Sequence, residues 1–253
     1  MNKSVFLVIL SVILLFGCKS QSYQIVNIHG QIIEMSDTYD FKTDSHKDLT
    51  TLVNNHKNIL DTLMNEVIGE STTLMAYGYP ESPLTNFTSD AMKQYGDKHL
   101  TSGADLAIMN VHGHRATMPK GTVTLGNLYE IYSFDNTITF LKLKGSDLKL
   151  IFNSYARMGG SGISSNVKLV IKNKTIKSAT VNGKKVDENK IYNIVTLDYL
   201  ADGNNGMGAF LHALEVNNTG ITLRDIMIDY VKDQTNKNKK LSSQNDGRII
   251  IEN

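Results

Sequence analysis

Apolar residues recur along the chain at two spacings, and each spacing predicts a different element. From Leu49 onward, Leu52, Val53, Ile59, Leu60, Leu63, Met64 and Val67 fall three and four apart, the spacing of one helix face. Ser45, with Asp48 three residues later, supplies a start signal, so an amphipathic helix packing on a sheet is predicted. Residues 84–95, 145–158 and 222–232 read as further helices, the last with Ile226, Met227, Tyr230 and Val231 on one face. Alternating or continuous short apolar runs predict strands at 70–77, 105–109, 137–143, 167–171, 176–181, 192–200 and 248–251. Residues 23–35 read as a hairpin, because two apolar runs flank His29-Gly30, the length of a two-residue turn. Helices and strands mix without a regular βαβ alternation. The class is therefore α+β, or an irregular α/β, with mixed sheets covered by helices.

The N-terminus changes that picture. Lys3 precedes an apolar run from Val5 to Phe16, the length of a signal-peptide core and too short to cross a bilayer, which needs about 20 residues. The run ends in Leu15-Phe16-Gly17-Cys18, which resembles the lipobox of bacterial lipoproteins. That resemblance implies a signal peptide at 1–17, lipidation of Cys18, a polar tether at 18–22 and a domain at 23–253 held outside the cytoplasm on a bacterial membrane. A plain secretory signal with an incidental Cys is the alternative. Cys18 is the only cysteine, so no disulfide forms within the chain. Removing residues 1–17 takes away Lys3 and no acid, leaving 25 basic against 25 acidic residues. That balance argues against a nucleic-acid binder that relies on long-range attraction. About 235 residues suffice for one domain with its own core.

Three loops concentrate the unusual chemistry. Asn110-Val111-His112-Gly113-His114-Arg115 follows a buried strand, Tyr132-Ser133-Phe134-Asp135-Asn136 precedes one, and a glycine-rich loop runs from Asp198-Tyr199 through Asn205 to Gly208. An Arg beside a glycine turn can grip a phosphate with two hydrogen bonds. Loop aromatics can flank a flat base, each stacking contact giving about 1–3 kcal/mol. Each feature alone also has a plainer explanation, as a turn, a solvated charge or a core plug. His112 and His114 form a His-x-His pair that can bind zinc, but no third ligand is evident nearby. Donating hydrogen bonds to a phosphate is their other reading. His56 falls on the apolar face of the first helix and reads as a core or boundary residue.

The order of the three loops resembles the C-terminal domain of 5'-nucleotidases and UDP-sugar hydrolases. That family shows an Asn-Gly-Gly-Gly-Ile-Arg stretch, an aromatic in a Pro-Phe turn, and a Phe before Gly-Gly-Asp-Gly. Upstream, Glu81-Ser82-Pro83-Leu84-Thr85-Asn86-Phe87-Thr88-Ser89-Asp90-Ala91-Met92 is similar to the family's E-x-x-L-G-N-L-x-x-D-A helix. The resemblance covers about residues 60–250. It implies that Phe134 and Tyr199 stack on the two faces of a base, Asn110 meets the base edge, Arg115 holds a phosphate and Asn205 meets the ribose. The chain departs from the family at Val111, His112 and His114, which narrow the first loop. It departs again at Asn205, which stands for an Asp, and at Pro80, which stands for a phosphate-binding Arg.

In the family, hydrolysis belongs to an N-terminal metallophosphoesterase domain whose two metal ions activate water for attack on phosphorus. Asp44-Ser45-His46 matches its Asp-x-His motif on paper but precedes a predicted helix. Gly96-Asp97-Lys98-His99 lacks a second ligand at the required spacing, and no Gly-Asn-His occurs. Fewer than 60 residues precede the region of resemblance. The expectation is a nucleotide- or nucleoside-binding half, inactive by itself and without a metal of its own. A separate metallophosphoesterase-domain protein would carry the divalent metals. A receptor that works without a partner and a scaffold whose pocket has decayed are the alternatives.

Overall fold

The computed structural model describes residues 44–252. The chain divides after Thr50, and the unit Thr51–Asn253 carries the fold. The expected hairpin at 23–35, Cys18 and the apolar run before it lie outside the described residues.

Helix α1 (Asp44–Met64) leads to β1 (Val67–Ser71), α2 (Pro83–His99) and β2 (Leu106–Met109). Next come β3 (Gly121–Thr124), α3 (Leu125–Ile131), β4 (Thr137–Lys144) and α4 (Gly145–Met158). The strands β5 (Gly162–Ile163), β6 (Val167–Lys172), β7 (Thr175–Val181), β8 (Lys184–Lys185) and β9 (Ile191–Leu197) follow. A helical turn, α5 (Asp198–Ala201), then precedes β10 (Glu215–Thr222), α6 (Leu223–Asn236) and β11 (Ile249–Glu252). The strands form a five-stranded sheet in the order β10-β4-β9-β2-β5, a four-stranded sheet β11-β6-β7-β8 and the pair β1-β3. Both larger sheets are mixed: β2 runs parallel to β9, and β11 parallel to β6. This is the α+β class that the irregular element order predicts.

Helix α2 lies across β2, β5 and β9, burying Leu84, Phe87, Ala91 and Met92. Its start is set by Ser82, whose hydroxyl accepts from the Thr85 amide while Thr85 Oγ1 accepts from the Ser82 amide. Pro83 opens the first turn, where its missing N–H costs nothing. The approach to the sheet is close. A Cβ on Gly96 would meet Val195 Cγ2 at 2.4 Å and Ala104 Cβ at 2.9 Å. On the other side α4 covers β4 and β7 with Leu148, Ile151, Phe152 and Tyr155, all fully buried.

Several expectations need correction. The helix over the first apolar stripe forms, but among the described residues no sheet covers it: Leu52, Val53, Ile59, Leu60 and Leu63 are all more than half exposed. His56 is exposed with them rather than buried. The strand expected at 70–77 begins at Val67 and ends at Ser71, because only that stretch finds a ladder, against β3. The strand expected at 192–200 ends at Leu197, where the chain turns into α5. With its apolar face bare among the described residues, α1 is expected to tolerate polar substitution. Leu60→Lys, which keeps helix propensity, is expected to change the urea-unfolding free energy by less than about 0.5 kcal/mol. A core leucine truncation costs about 2–5 kcal/mol instead, so a loss of that size would show that the face is covered.

Candidate functional site

The ladder register brings the three chemistry-bearing loops to one edge of the five-stranded sheet. Leu106 and Ala107 of β2 pair with Ile194 and Val195 of β9, and the same offset carries Asn110 level with Asp198. Ile138 of β4 pairs with Leu197, antiparallel, so β4 begins where β9 ends. Residues 110–115, 133–136 and 198–208 therefore leave the same edge. Thr137 Oγ1 donates to Asp198 Oδ2 at 2.7 Å, joining two of the loop roots.

Phe134 and Tyr199 stand on that edge 47% and 43% exposed. Among the described residues neither ring stacks on another aromatic ring. Leaving two large apolar rings in water is unfavourable by about 25 cal/mol per Å² of apolar surface, so this edge is suited to take a flat partner. Arg115 accompanies Phe134: its guanidinium carbon lies 5.5 Å from the ring centroid. Asn110 is buried, and its Oδ1 has no hydrogen-bond partner. An unmet buried acceptor costs about 1–3 kcal/mol, a cost that a donor from a ligand would offset. Asn205 adopts the left-handed conformation (φ 54°), which asparagine tolerates better than most residues. Its neighbour Asn204 donates through Nδ2 to the Tyr199 carbonyl at 2.9 Å, tying the glycine-rich loop back to the aromatic.

The two histidines separate. His112 is exposed and meets Tyr79 edge-on, with ring centroids 5.9 Å apart. His114 is fully buried, and burial pushes its pKa down to about 4. Its neutral ring has one proton, which must sit on Nδ1, because the facing atom is the Val111 carbonyl at 3.1 Å. Nε2 therefore accepts from Thr88 Oγ1 at 2.9 Å, and Thr88 in turn accepts from the Tyr132 hydroxyl at 2.7 Å. The Leu84 carbonyl, 2.9 Å from Thr88 Oγ1, competes for that single proton. The pair consequently shares no metal site: one ring is spent inside the fold and the other faces out.

Two arginines support the site although no sequence motif marks them. Arg224, at the start of α6, donates to the Tyr132 carbonyl at 3.0 Å and to Asp135 Oδ1 at 2.5 Å, bracketing the turn that carries Phe134. Arg248 ties the helix of the Glu81–Asp90 motif to the last strand. It donates to Asp90, Asp246 and the Ile163 carbonyl. Glu81 accepts from Asn86 Nδ2 at 2.7 Å and from the Gly247 amide at 2.8 Å. The polar residues of that motif are thus fold clamps set behind the site. A hollow of about 580 Å³, lined in part by Gly206 and Gly208, opens beside Asn205 rather than between the two aromatic rings.

A family model described as 5'-nucleotidase, C-terminal domain, matches residues 67–212. The chain belongs to this family. The match spans all five residues that the loops single out and ends before β10, so Arg224 and Arg248 fall outside it. The chain is 28% identical over 135 residues to protein UshA of Yersinia enterocolitica, a match covering 52% of this chain and 24% of that protein. It is 33% identical over 108 residues to endonuclease YhcR of Bacillus subtilis, covering 42% and 8% respectively. In both cases it spans a quarter or less of the relative's length. The fold matches that of a 5'-nucleotidase precursor from Thermus thermophilus with a TM-score of 0.69 at 22% identity. That superposition covers 82% of this chain and 43% of the other.

Proposed function

We propose that this chain is the nucleotide- or nucleoside-binding half of a 5'-nucleotidase-type hydrolase, working outside the cytoplasm. In this reading the domain is carried at 23–253 on lipid attached to Cys18. The observation that carries it is the meeting, on one sheet edge, of two half-exposed rings with a buried amide oxygen that lacks a partner. Phe134 and Tyr199 stack on the base, Asn110 Oδ1 accepts from the base edge, Asn205 meets the ribose, and Arg115 holds the phosphate. Phe134 serves twice, since its ring also supports the Arg115 guanidinium. The chain's own contribution is to bind and orient; the divalent metals that activate water belong to a separate metallophosphoesterase-domain chain.

The purified chain is expected to bind AMP saturably in a calorimeter, and Phe134→Ala to weaken that binding by about 1–3 kcal/mol, or roughly 5- to 150-fold. Tyr199→Ala should behave alike. Unchanged affinity in both variants would sink the base sandwich. Adding a metallophosphoesterase-domain chain with its metals should raise phosphate release from AMP above that of either protein alone. No increase with any such chain argues for binding without catalysis.

A further inference from the structure

The hollow beside Asn205 has a chemistry of its own. It lies between α4, the β6–β7 turn and the 3-10 turn Gly208–His212, open to solvent, with a volume of about 580 Å³. Arg157 and Lys174 line it. Arg157 is exposed, donates only to Ser154 on its own helix, and among the described residues has no carboxylate partner; nor does Lys174. The nearby carboxylate of Asp147 is already engaged by His212 at 2.7 Å. Asn153 and Thr175 add polar atoms to the wall.

Two features mark this as an open receiving site. Lys174 sits at φ 57° in the two-residue turn Asn173-Lys174, a position where glycine is unstrained and lysine is not. The turn thus holds a cation over the hollow at a conformational cost. On the facing wall, a Cβ added at Gly206 or at Gly208 would meet no atom within 4 Å, so the backbone there lies open to an incoming group.

We infer that this hollow binds a phosphate carried on the ribose 3'-oxygen of the bound nucleotide. The inference rests on the proposed nucleotide site. With the base between Phe134 and Tyr199 and the 5'-phosphate toward Arg115, the ribose reaches Asn205, and Gly206 is the next residue into the hollow. A group leaving the ribose on that side enters between Arg157 and Lys174, two unpaired cations that match one phosphate dianion. The ligand class is a nucleoside 3',5'-bisphosphate, or equally the 3'-phosphodiester of a longer chain.

The test compares AMP, adenosine 3',5'-bisphosphate and the dinucleotide pApA by calorimetry on the full chain. The bisphosphate is expected to bind about tenfold more tightly than AMP at low salt. Arg157→Gln and Lys174→Gly should each remove most of that advantage and leave AMP unchanged. Lys174→Gly relieves the strained turn, so its loss of binding cannot be put down to misfolding. Gly208→Leu, whose added Cβ meets no protein atom within 4 Å, should plug the hollow with the same effect. A pApA advantage equal to that of the bisphosphate assigns the site to a phosphodiester; an advantage for the bisphosphate alone assigns it to a terminal phosphate. Equal affinity of all three ligands, with AMP still bound, overturns this inference alone. If AMP itself does not bind, the nucleotide reading falls and this inference with it.

Discussion

Replacing Arg248 with methionine is expected to destabilise the fold by about 3 kcal/mol, visible as a fall in Tm of roughly 6–12 °C. The guanidinium is almost fully enclosed, at 2% exposure. Nε and Nη2 reach Asp246 at 3.0 and 2.8 Å, Nη1 and Nη2 reach Asp90 at 3.2 and 3.0 Å, and Nη1 reaches the Ile163 carbonyl at 2.7 Å. Burial works against its charge, but the hydrogen bonds and charges of Asp246 and Asp90 outweigh it and hold the pKa above its usual value. Removing one partner of a buried pair costs about 3–5 kcal/mol, because the other partner is left charged and unmet. Here Asp90 and Asp246 are 36% and 34% exposed and can turn to water, which sets the loss at the low end. Glu81 is enclosed but keeps its amide donors from Asn86 and Gly247. Arg248→Lys preserves the charge and loses the fork, so it should fall between wild type and methionine. A methionine variant as stable as wild type would mean that the ion cluster contributes nothing net.

The second large effect is acid lability centred on His114. Its folded pKa of about 4 lies below the free value of 6.5, so between those values the unfolded chain takes up a proton that the folded chain refuses. More protons bound to the unfolded state means that stability rises with pH. The contribution is complete above pH 6.5 and is lost as pH falls toward 4, in total about 3 kcal/mol. His114→Gln keeps a hydrogen-bonding side chain without the titration. Between about pH 7 and about pH 4.5 the wild type should therefore lose roughly 2 kcal/mol more than the variant in urea unfolding. Asp246 adds its own loss at lower pH. Burial raises its pKa, but the hydrogen bond and charge of Arg248 outweigh that and hold it below the usual carboxylate range. That loss is common to both proteins and cancels in the difference. Parallel stability curves would show that His114 is not held neutral by its surroundings.

What was legible along the chain follows from periodicity and length. Helix α4 matches its predicted span, 145–158, because Leu148, Ile151, Phe152 and Tyr155 form one unbroken stripe. Strands β6 and β7 and the turn between them were also read to within a residue, since their apolar runs are bounded by Lys172-Asn173-Lys174. Helix α3 leaves no mark in the sequence because its seven residues make only two turns, too few for a period to show. Strand β10 leaves none for a different reason: its residues are largely exposed and polar, and only the ladder to β4 holds them extended. The three loops of the candidate site are legible along the chain; that they meet at one sheet edge is not. Nor are the supports, because Arg224 acts on residues 92 and 89 positions away, and Arg248, besides its neighbour Asp246, acts on Ile163 and Asp90, 85 and 158 positions away.

The sequence by itself determined the class of fold, the family, and the three loops that carry the exposed chemistry. Those follow from local spacing and from motifs that need no partner to be recognised. Tertiary structure decided how each residue is used. His112 and His114 are two positions apart, yet one faces water and the other is sealed under Tyr132 and Thr88. The apolar stripe of α1 predicts burial and finds none among the described residues, because burial depends on what lies opposite a face and not on the face alone. Glu81, Asn86 and Asp90 belong to a motif that marks the family, but only the packing of α2 against the last strand shows them to be clamps. The placement of Asn110, Phe134 and Tyr199 on one edge is likewise a product of strand order. Strands β2, β4 and β9 lie side by side, and long-range pairing is not written in any local pattern.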